Sequence, residues 1–317
     1  MTRIGTSSLD VLPLSLGGNV FGWTADRATS FAILDEFHAG GGDFIDTADS
    51  YSAWVEGNAG GESETIIGEW LASRKPRDVV VATKVSQHPG FPGLSAKNVR
   101  AAAEASLKRL GVDTIDLYYA HFDDETVPLE ETVAAFGELV SDGLVRYTAV
   151  SNYSADRIRE WIGLADAAGS ALPVAVQPHY NLVHRNEIEE HIIPLAQEFD
   201  LSLVPYFSLA KGFLTGKYRS TDAAGQSSPR AGAAAQYATA QGLEIIDALE
   251  GIGRTHGVSI AATSLAWLRA QPTVAAPIAS ASRPEQVGDL LDGARVELTA
   301  DEVETLSRVS EWTPAGV

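Results

Sequence analysis

Eight short apolar runs, rich in β-branched residues, recur along the chain, and a stretch with helical spacing of its apolar positions follows each of them. This alternation constrains the fold more than any other feature. Strands buried on both faces and helices apolar on one stripe are both satisfied by a parallel sheet with helices packed on it. The strands are predicted at Leu12–Leu16, Asp43–Asp46, Val79–Lys84, Ile115–Ala120, Val145–Val150, Val174–Gln177, Leu201–Pro205 and Val274–Ile278. The helices are predicted at Asp26–Ala39, Ser63–Ser73, Ser95–Leu110, Pro128–Ser141, Ser154–Ala168, Glu187–Glu198, Ser259–Ala270 and Pro284–Leu291.

No shift of composition divides the 317 residues, so a single closed (β/α)8 TIM barrel over 1–317 is expected, with a doubly wound open sheet as the alternative. Ser95, Ser154 and Ser259 stand where N-cap hydroxyls belong, and Gly111 stands where a left-handed residue would end the third helix. Two places depart from the repeat. The Gly-, Ala- and Ser-rich stretch 206–237 after the seventh strand is too long for an ordinary βα turn and is a candidate lid. Helices near Thr239–Thr255 and Ala300–Val309 are extra to the eight units and are expected to pack outside.

Composition removes several classes of function. With no cysteine there is no disulfide framework, thiol nucleophile or Cys-ligated metal, which fits a cytoplasmic protein. The N-terminus does not read as a signal peptide, no run approaches the ~20 apolar residues of a membrane span, and no membrane partner is expected. A net charge of −19 repels polyanions, so no nucleic acid partner is expected either, although a local basic pocket could hold a small phosphate ligand.

In a barrel of this type the active site lies at the C-terminal ends of the strands. Asp46 ends the second strand, Tyr51 follows in its loop, Lys84 ends the third and His121 follows the fourth. Each alone reads as a cap, a surface charge or a packing residue. Together at one rim they read as a site, because a buried cation and anion persist only as a hydrogen-bonded pair. Carbonyl reduction needs a hydride at carbon and a proton at the developing alkoxide. An isolated phenol holds its proton too tightly near neutrality. A lysine ammonium at ~4 Å, at an effective dielectric of ~20, would favour the phenolate by roughly 4 kcal/mol before desolvation. Asp46 would keep that lysine charged, and a neutral His121 could donate a hydrogen bond to the carbonyl oxygen.

At these residues the sequence resembles the aldo-keto reductases, from about Leu9 to Leu306. FIDTADSYSAW with GGESETIIGEWL, VVVATKV, and IDLYYAHFDD look like the family's Asp–Tyr, Lys and His motifs in order. The resemblance implies that Asp46, Tyr51, Lys84 and His121 are the catalytic tetrad and that NADP(H) lies across the barrel rim. The chain carries neither GxGxxG after a strand nor a GxxxxGK[ST] loop. By resemblance, Ser151, Asn152 and Gln177 meet the nicotinamide carboxamide, Tyr206 stacks under its ring, and Gly18, Asn19 and Ile278 join the cofactor site. PYFSLAKGFLTGKY resembles the pyrophosphate loop, with Phe207, Ser208, Leu209, Ala210, Gly212 and Lys217 in place; the family usually reads Tyr-Ser-Pro-Leu where this chain has Tyr206-Phe207-Ser208-Leu209. IASASRPEQVGDLL resembles the 2′-phosphate segment, through Ser280, Ser282, Arg283 and Gln286. Arg283 points to NADP(H) over NAD(H). Asp289 and Leu290 stand where many relatives carry an Asn near the adenine.

Val20, Phe21, Trp23, Trp54, Phe122 and Tyr153 are the expected substrate-pocket walls, and their aromatic character fits an aldehyde or ketone, or a sugar stacked on Trp54. The expected partner is thus a small carbonyl or alcohol, and the expected state a monomer or weak homo-oligomer. Two rivals remain. One is a cofactor-binding regulatory subunit, since some members of the family are associated with ion channels. The other is a metal-dependent hydrolase built on His179, His184 and His191, whose spacing does not place three ligands on one helical face, so no metal site is expected.

Overall fold

The structure, a computed structural model, describes residues 1–219 and 231–311. Its barrel strands are β1 (Ser15–Gly17), β2 (Phe44–Asp46), β3 (Val80–Val85), β4 (Ile115–Ala120), β5 (Val145–Ser151), β6 (Pro173–Gln177), β7 (Ser202–Leu203) and β8 (Ile278–Ala279). They pair in parallel in chain order from β1 to β7, and β8 pairs with β1. At the remaining seam Leu203 N donates to Thr273 O at 2.8 Å, Ala275 N to Leu203 O at 2.9 Å and Ile278 N to Pro205 O at 2.8 Å. The ring is therefore closed, and the doubly wound alternative fails. The last strand is a correction: only Ile278 of the expected Val274–Ile278 run lies in β8, while Val274 and Ala275 pair with β7 and Pro277 O accepts from Ser15 N of β1.

The barrel interior is packed, not hollow. Phe44, Ala82, Leu117, Tyr119, Ala149, Ala175, Val204 and Ala276 share one buried cluster with Ile4, Leu9 and Val11. The last three belong to a hairpin whose strands are Thr2–Arg3 and Asp10–Val11, with Ile4 and Leu9 in its connection. Gly5 N donates to Ser202 Oγ at 2.7 Å and Ser8 N to Tyr147 Oη at 3.0 Å, fixing the hairpin beneath the sheet. That end is stoppered, so polar chemistry has its opening at the other.

Around the sheet run α1 (Arg27–Ala39), α2 (Glu62–Arg74), α3 (Ala96–Leu110), α4 (Leu129–Ser141), α5 (Ala155–Ala167), α6 (Ile193–Glu198), α7 (Ala231–Ala235), α8 (Ala240–His256), α9 (Ile260–Arg269), α10 (Val287–Arg295) and α11 (Ala300–Val309). Ser154 and Ser259 accept from Arg157 N and Ala262 N as N-caps should, and Gly111 sits at φ 66°. Ser95 does not cap with its side chain; Glu131, from α4, accepts Ala96 N at 2.9 Å instead. The expected helix Glu187–Glu198 splits into a π-turn (Ile188–Ile192) and α6. Pro194 explains it: it has no N–H for the carbonyl four residues earlier, and its ring would crowd that carbonyl, so the preceding turn widens.

The extra helices α8 and α11 pack against one another, a pairing the sequence does not show, tied by His256 Nε2 to Glu302 at 2.9 Å. After β7 the chain curls through a 3-10 turn, Ala210–Thr215. Of the candidate lid, residues 220–230 lie outside the described residues.

Candidate active site

The loop after β2 keeps running beside β3: Thr47 N donates to Ala82 O at 2.8 Å and Asp49 N to Lys84 O at 3.2 Å. This register delivers Tyr51 to Lys84. Just past it, Ser52 takes φ 70° and anchors its hydroxyl on Phe21 O at 2.8 Å. Lys84 Nζ donates to Asp46 Oδ2 at 2.7 Å, to Thr47 O at 2.7 Å and to Tyr51 Oη at 2.9 Å. Its three ammonium protons thus have three acceptors. Lys84 is 0% and Asp46 1% exposed, so the pair is enclosed. Burial pulls the Lys84 pKa down, and Asp46 opposes this.

Asp46 is held from a second side as well. Gln177, at the end of β6, donates to Asp46 Oδ1 at 2.8 Å, a tie across the barrel that the sequence does not disclose. His121 follows β4, its ring 6.1 Å from that of Tyr51. Its Nδ1 is buried with no partner among the described residues, and the residue lines the cavity at the rim. Burial, and then Lys84, hold the imidazole pKa well below its usual value, so His121 is neutral near pH 7. Asn152, at φ 58°, donates to His121 O at 2.9 Å and accepts from Tyr206 Oη at 2.7 Å, linking the tops of β4, β5 and β7.

The rim opens into a cavity of about 910 Å³. Asp46, Tyr51 and His121 line it, with Lys84 bonded behind them. Asn19, Ser151, Asn152, Gln177 and Tyr206 line its inner part; Phe207, Ser208, Leu209, Gly212 and Lys217 follow along the curl after β7; Ile278, Ser280, Ser282, Arg283 and Gln286 complete the far side. Ser280 Oγ donates to Asn19 Oδ1 at 2.8 Å, and Gln286 Oε1 accepts from Ser282 N at 2.9 Å. Phe207, Ala210 and Lys211 have positive φ, a concentration of costly backbone angles typical of ligand-binding loops, and Gly212 beside them adopts it without cost.

Several expected residues stand elsewhere. Gly18 lies behind the cavity, where a Cβ would meet Ser63 and Asp46 O, and Ala210 is fully buried. Val20, Trp54 and Phe122 line the cavity. Phe21 is buried in the core, and Tyr153 packs on Trp161. Trp23 stands edge-on to Trp54 at 5.7 Å. Chain position placed these three near the rim, but local side-chain direction turned two of them inward. The reading missed Lys211, which lines the cavity; its one signal was a lysine between Ala210 and Gly212 in a loop already read as phosphate-binding. His179 and His184 stack at 3.9 Å, while His191 is exposed beside Glu190, and no cluster able to hold a metal occurs among the described residues.

At the C-terminal rim of a closed (β/α)8 barrel, the buried Asp46–Lys84 pair, Tyr51 and a neutral histidine thus meet at one large cavity. Residues 13–311 match the aldo/keto reductase family, an oxidoreductase family, and the chain belongs to it. It is 32% identical to a probable voltage-gated potassium channel subunit beta of Oryza sativa subsp. japonica, over 98% of this chain and 97% of that one. It is 30% identical to norsolorinic acid reductase B of Aspergillus parasiticus, over 97% and 83%. With probable aldo-keto reductase 1 of Glycine max it shares 31% identity, over 99% and 89%. Among the described residues no helix is long and apolar enough to cross a membrane.

Proposed function

We propose that this chain reduces aldehydes or ketones to alcohols with NADP(H), Tyr51 acting as general acid. One observation carries the reading: the enclosed Lys84 ammonium lies 2.9 Å from Tyr51 Oη and 2.7 Å from Asp46, where Tyr51 meets the cavity. Lys84 stabilises negative charge on the phenolic oxygen as its proton leaves for the substrate. Asp46 neutralises Lys84, and Gln177 fixes Asp46. His121, neutral, donates from Nε2 to the carbonyl oxygen, a hydrogen bond that strengthens as charge grows there.

The cavity's cations support a dinucleotide. Lys211, Lys217 and Arg283 line it, and none forms an ion pair among the described residues, in a chain of net charge −19. Lys211 and Lys217 lie over the rings of Phe207 and Tyr218, and cations without a carboxylate partner in so acidic a protein suit an anionic ligand. Lys211 and Lys217 would meet the pyrophosphate. Arg283, before the turn Pro284–Gln286 and α10, would meet a 2′-phosphate. Bound there, the dinucleotide would supply the hydride.

The name of the rice relative favours a second reading, a cofactor-bearing subunit with little turnover. NADPH oxidation across a panel of aromatic aldehydes, aliphatic aldehydes, ketones and sugars separates the two. Turnover of any member above the enzyme-free rate supports the reductase. Silence across the panel by protein that binds NADPH supports the subunit.

A further inference from the structure

Three aromatic rings lie in a column at the end of β6. His179 stacks on Tyr206 with ring centres 5.4 Å apart and planes 23° apart, and His184 stacks on His179 at 3.9 Å and 11°. Asn181 is fully buried; its amide donates to Phe207 O at 2.9 Å and stands 3.3 Å from His179 Nε2. Phe207 sets its edge against His179 at 5.3 Å. Tyr206 lines the cavity, with His179 stacked on its ring and Phe207 packed edge-on to it at 5.0 Å. The phenol tip is tied to Asn152 and one face to His179, and together these fix the tilt of the ring.

We propose that His179 and His184 are positioning residues for the dinucleotide, setting from behind the plane of the Tyr206 ring on which the nicotinamide rests. This deepens the dinucleotide reading above and rests on it. The chemistry of the column suits the task. Burial first, and then His184 and Lys211, push the His179 imidazole down to about 4; desolvation also lowers His184, against the pull of Glu187. Both rings are therefore uncharged near neutrality. An uncharged column supports Tyr206 without setting positive charge behind a ring that is itself cationic when oxidised. A flat ring also restricts Tyr206 more than an aliphatic side chain would, because stacked aromatic contacts prefer particular geometries.

The test compares two ligands, NADPH and adenosine 2′,5′-bisphosphate, which keeps the phosphates and lacks the nicotinamide. His179→Ala is expected to raise the Kd of NADPH about tenfold while the bisphosphate Kd stays within about twofold. His179→Phe, which keeps a flat neutral ring, is expected to bring the NADPH Kd back to within about threefold of wild type. Should the alanine variant not fold, His184→Ala is read in the same way, with a rise of about threefold. An unchanged NADPH Kd, an equal loss for both ligands, or no recovery with phenylalanine overturns the positioning role. Wild-type protein that binds neither ligand overturns the dinucleotide reading itself, and this inference with it.

Discussion

Removing one member of the Lys84–Asp46 pair leaves the other charged and enclosed, so the two residues are coupled in stability. Lys84→Met is expected to cost about 3–5 kcal/mol in denaturant unfolding, and Lys84→Met with Asp46→Asn to recover most of it while remaining inactive. A double variant no more stable than the single one would contradict an enclosed charge pair. At the far side of the cavity, Arg283→Ala is expected to weaken NADPH by about 1.5–3 kcal/mol and NADH far less, as loss of a charge-assisted contact implies. Equal weakening of both cofactors would remove Arg283 from the 2′-phosphate. At this scale the sequence disclosed which side chains meet at the rim, since side-chain types at strand ends are visible in order. It did not disclose Gln177 on Asp46, because that contact spans 131 positions.

Elements were legible where their period was long enough to show. Ile115–Ala120 and Ala300–Val309 match the expected bounds, and the Ser154, Ser259 and Gly111 boundary signals act as read. The hairpin at residues 2–11 was not visible, because two-residue strands carry no alternation; its constraint lies in burial of Ile4, Leu9 and Val11 beneath the barrel. Gly5 marks it in retrospect. At φ +51° a Cβ there would press on Val174 O, so Gly5→Ala is expected to destabilise the protein by about 1–3 kcal/mol, with NADPH affinity unchanged. Thermal unfolding checks this, and an unaltered Tm would show that the hairpin does not hold the lower end of the barrel. The π-turn before Pro194 was likewise beyond periodicity, which reads a helix without its hydrogen-bond pitch.

Across the whole molecule, buried titratable groups set how stability follows pH. His88, His121 and His179 have lowered pKa values in the folded state, chiefly through burial. The unfolded chain therefore binds more protons than the native one below about pH 6.5, and stability falls with acid from there. Asp49 works in the opposite sense. Both its oxygens are buried without a hydrogen-bond partner among the described residues; burial, and then Glu64, raise its pKa well above the usual value. Its contribution is fully present below about pH 4 and is lost as pH rises through the raised value. Asp49→Asn is thus expected to stabilise the protein at pH 8 and not at pH 4, read from unfolding at both. The same gain at both pH values would mean that Asp49 titrates normally.

The eight units of the barrel could be read from one repeated pattern; the size of the cavity could not, since it depends on how loops far apart in the chain meet, and of its three cations only Lys211 went unread. Tyr51 is the residue on which the proposed chemistry turns. NADPH oxidation by wild type and Tyr51→Phe, followed by absorbance on an aldehyde that wild type reduces, tests it most directly, with NADPH affinity measured by fluorescence in parallel. Loss of the proton donor predicts a rate below about a tenth of wild type with an unchanged NADPH Kd, since general acid–base catalysis contributes on the order of 10²–10⁴. A Tyr51→Phe variant that keeps more than about a tenth of the rate would contradict Tyr51 as the acid.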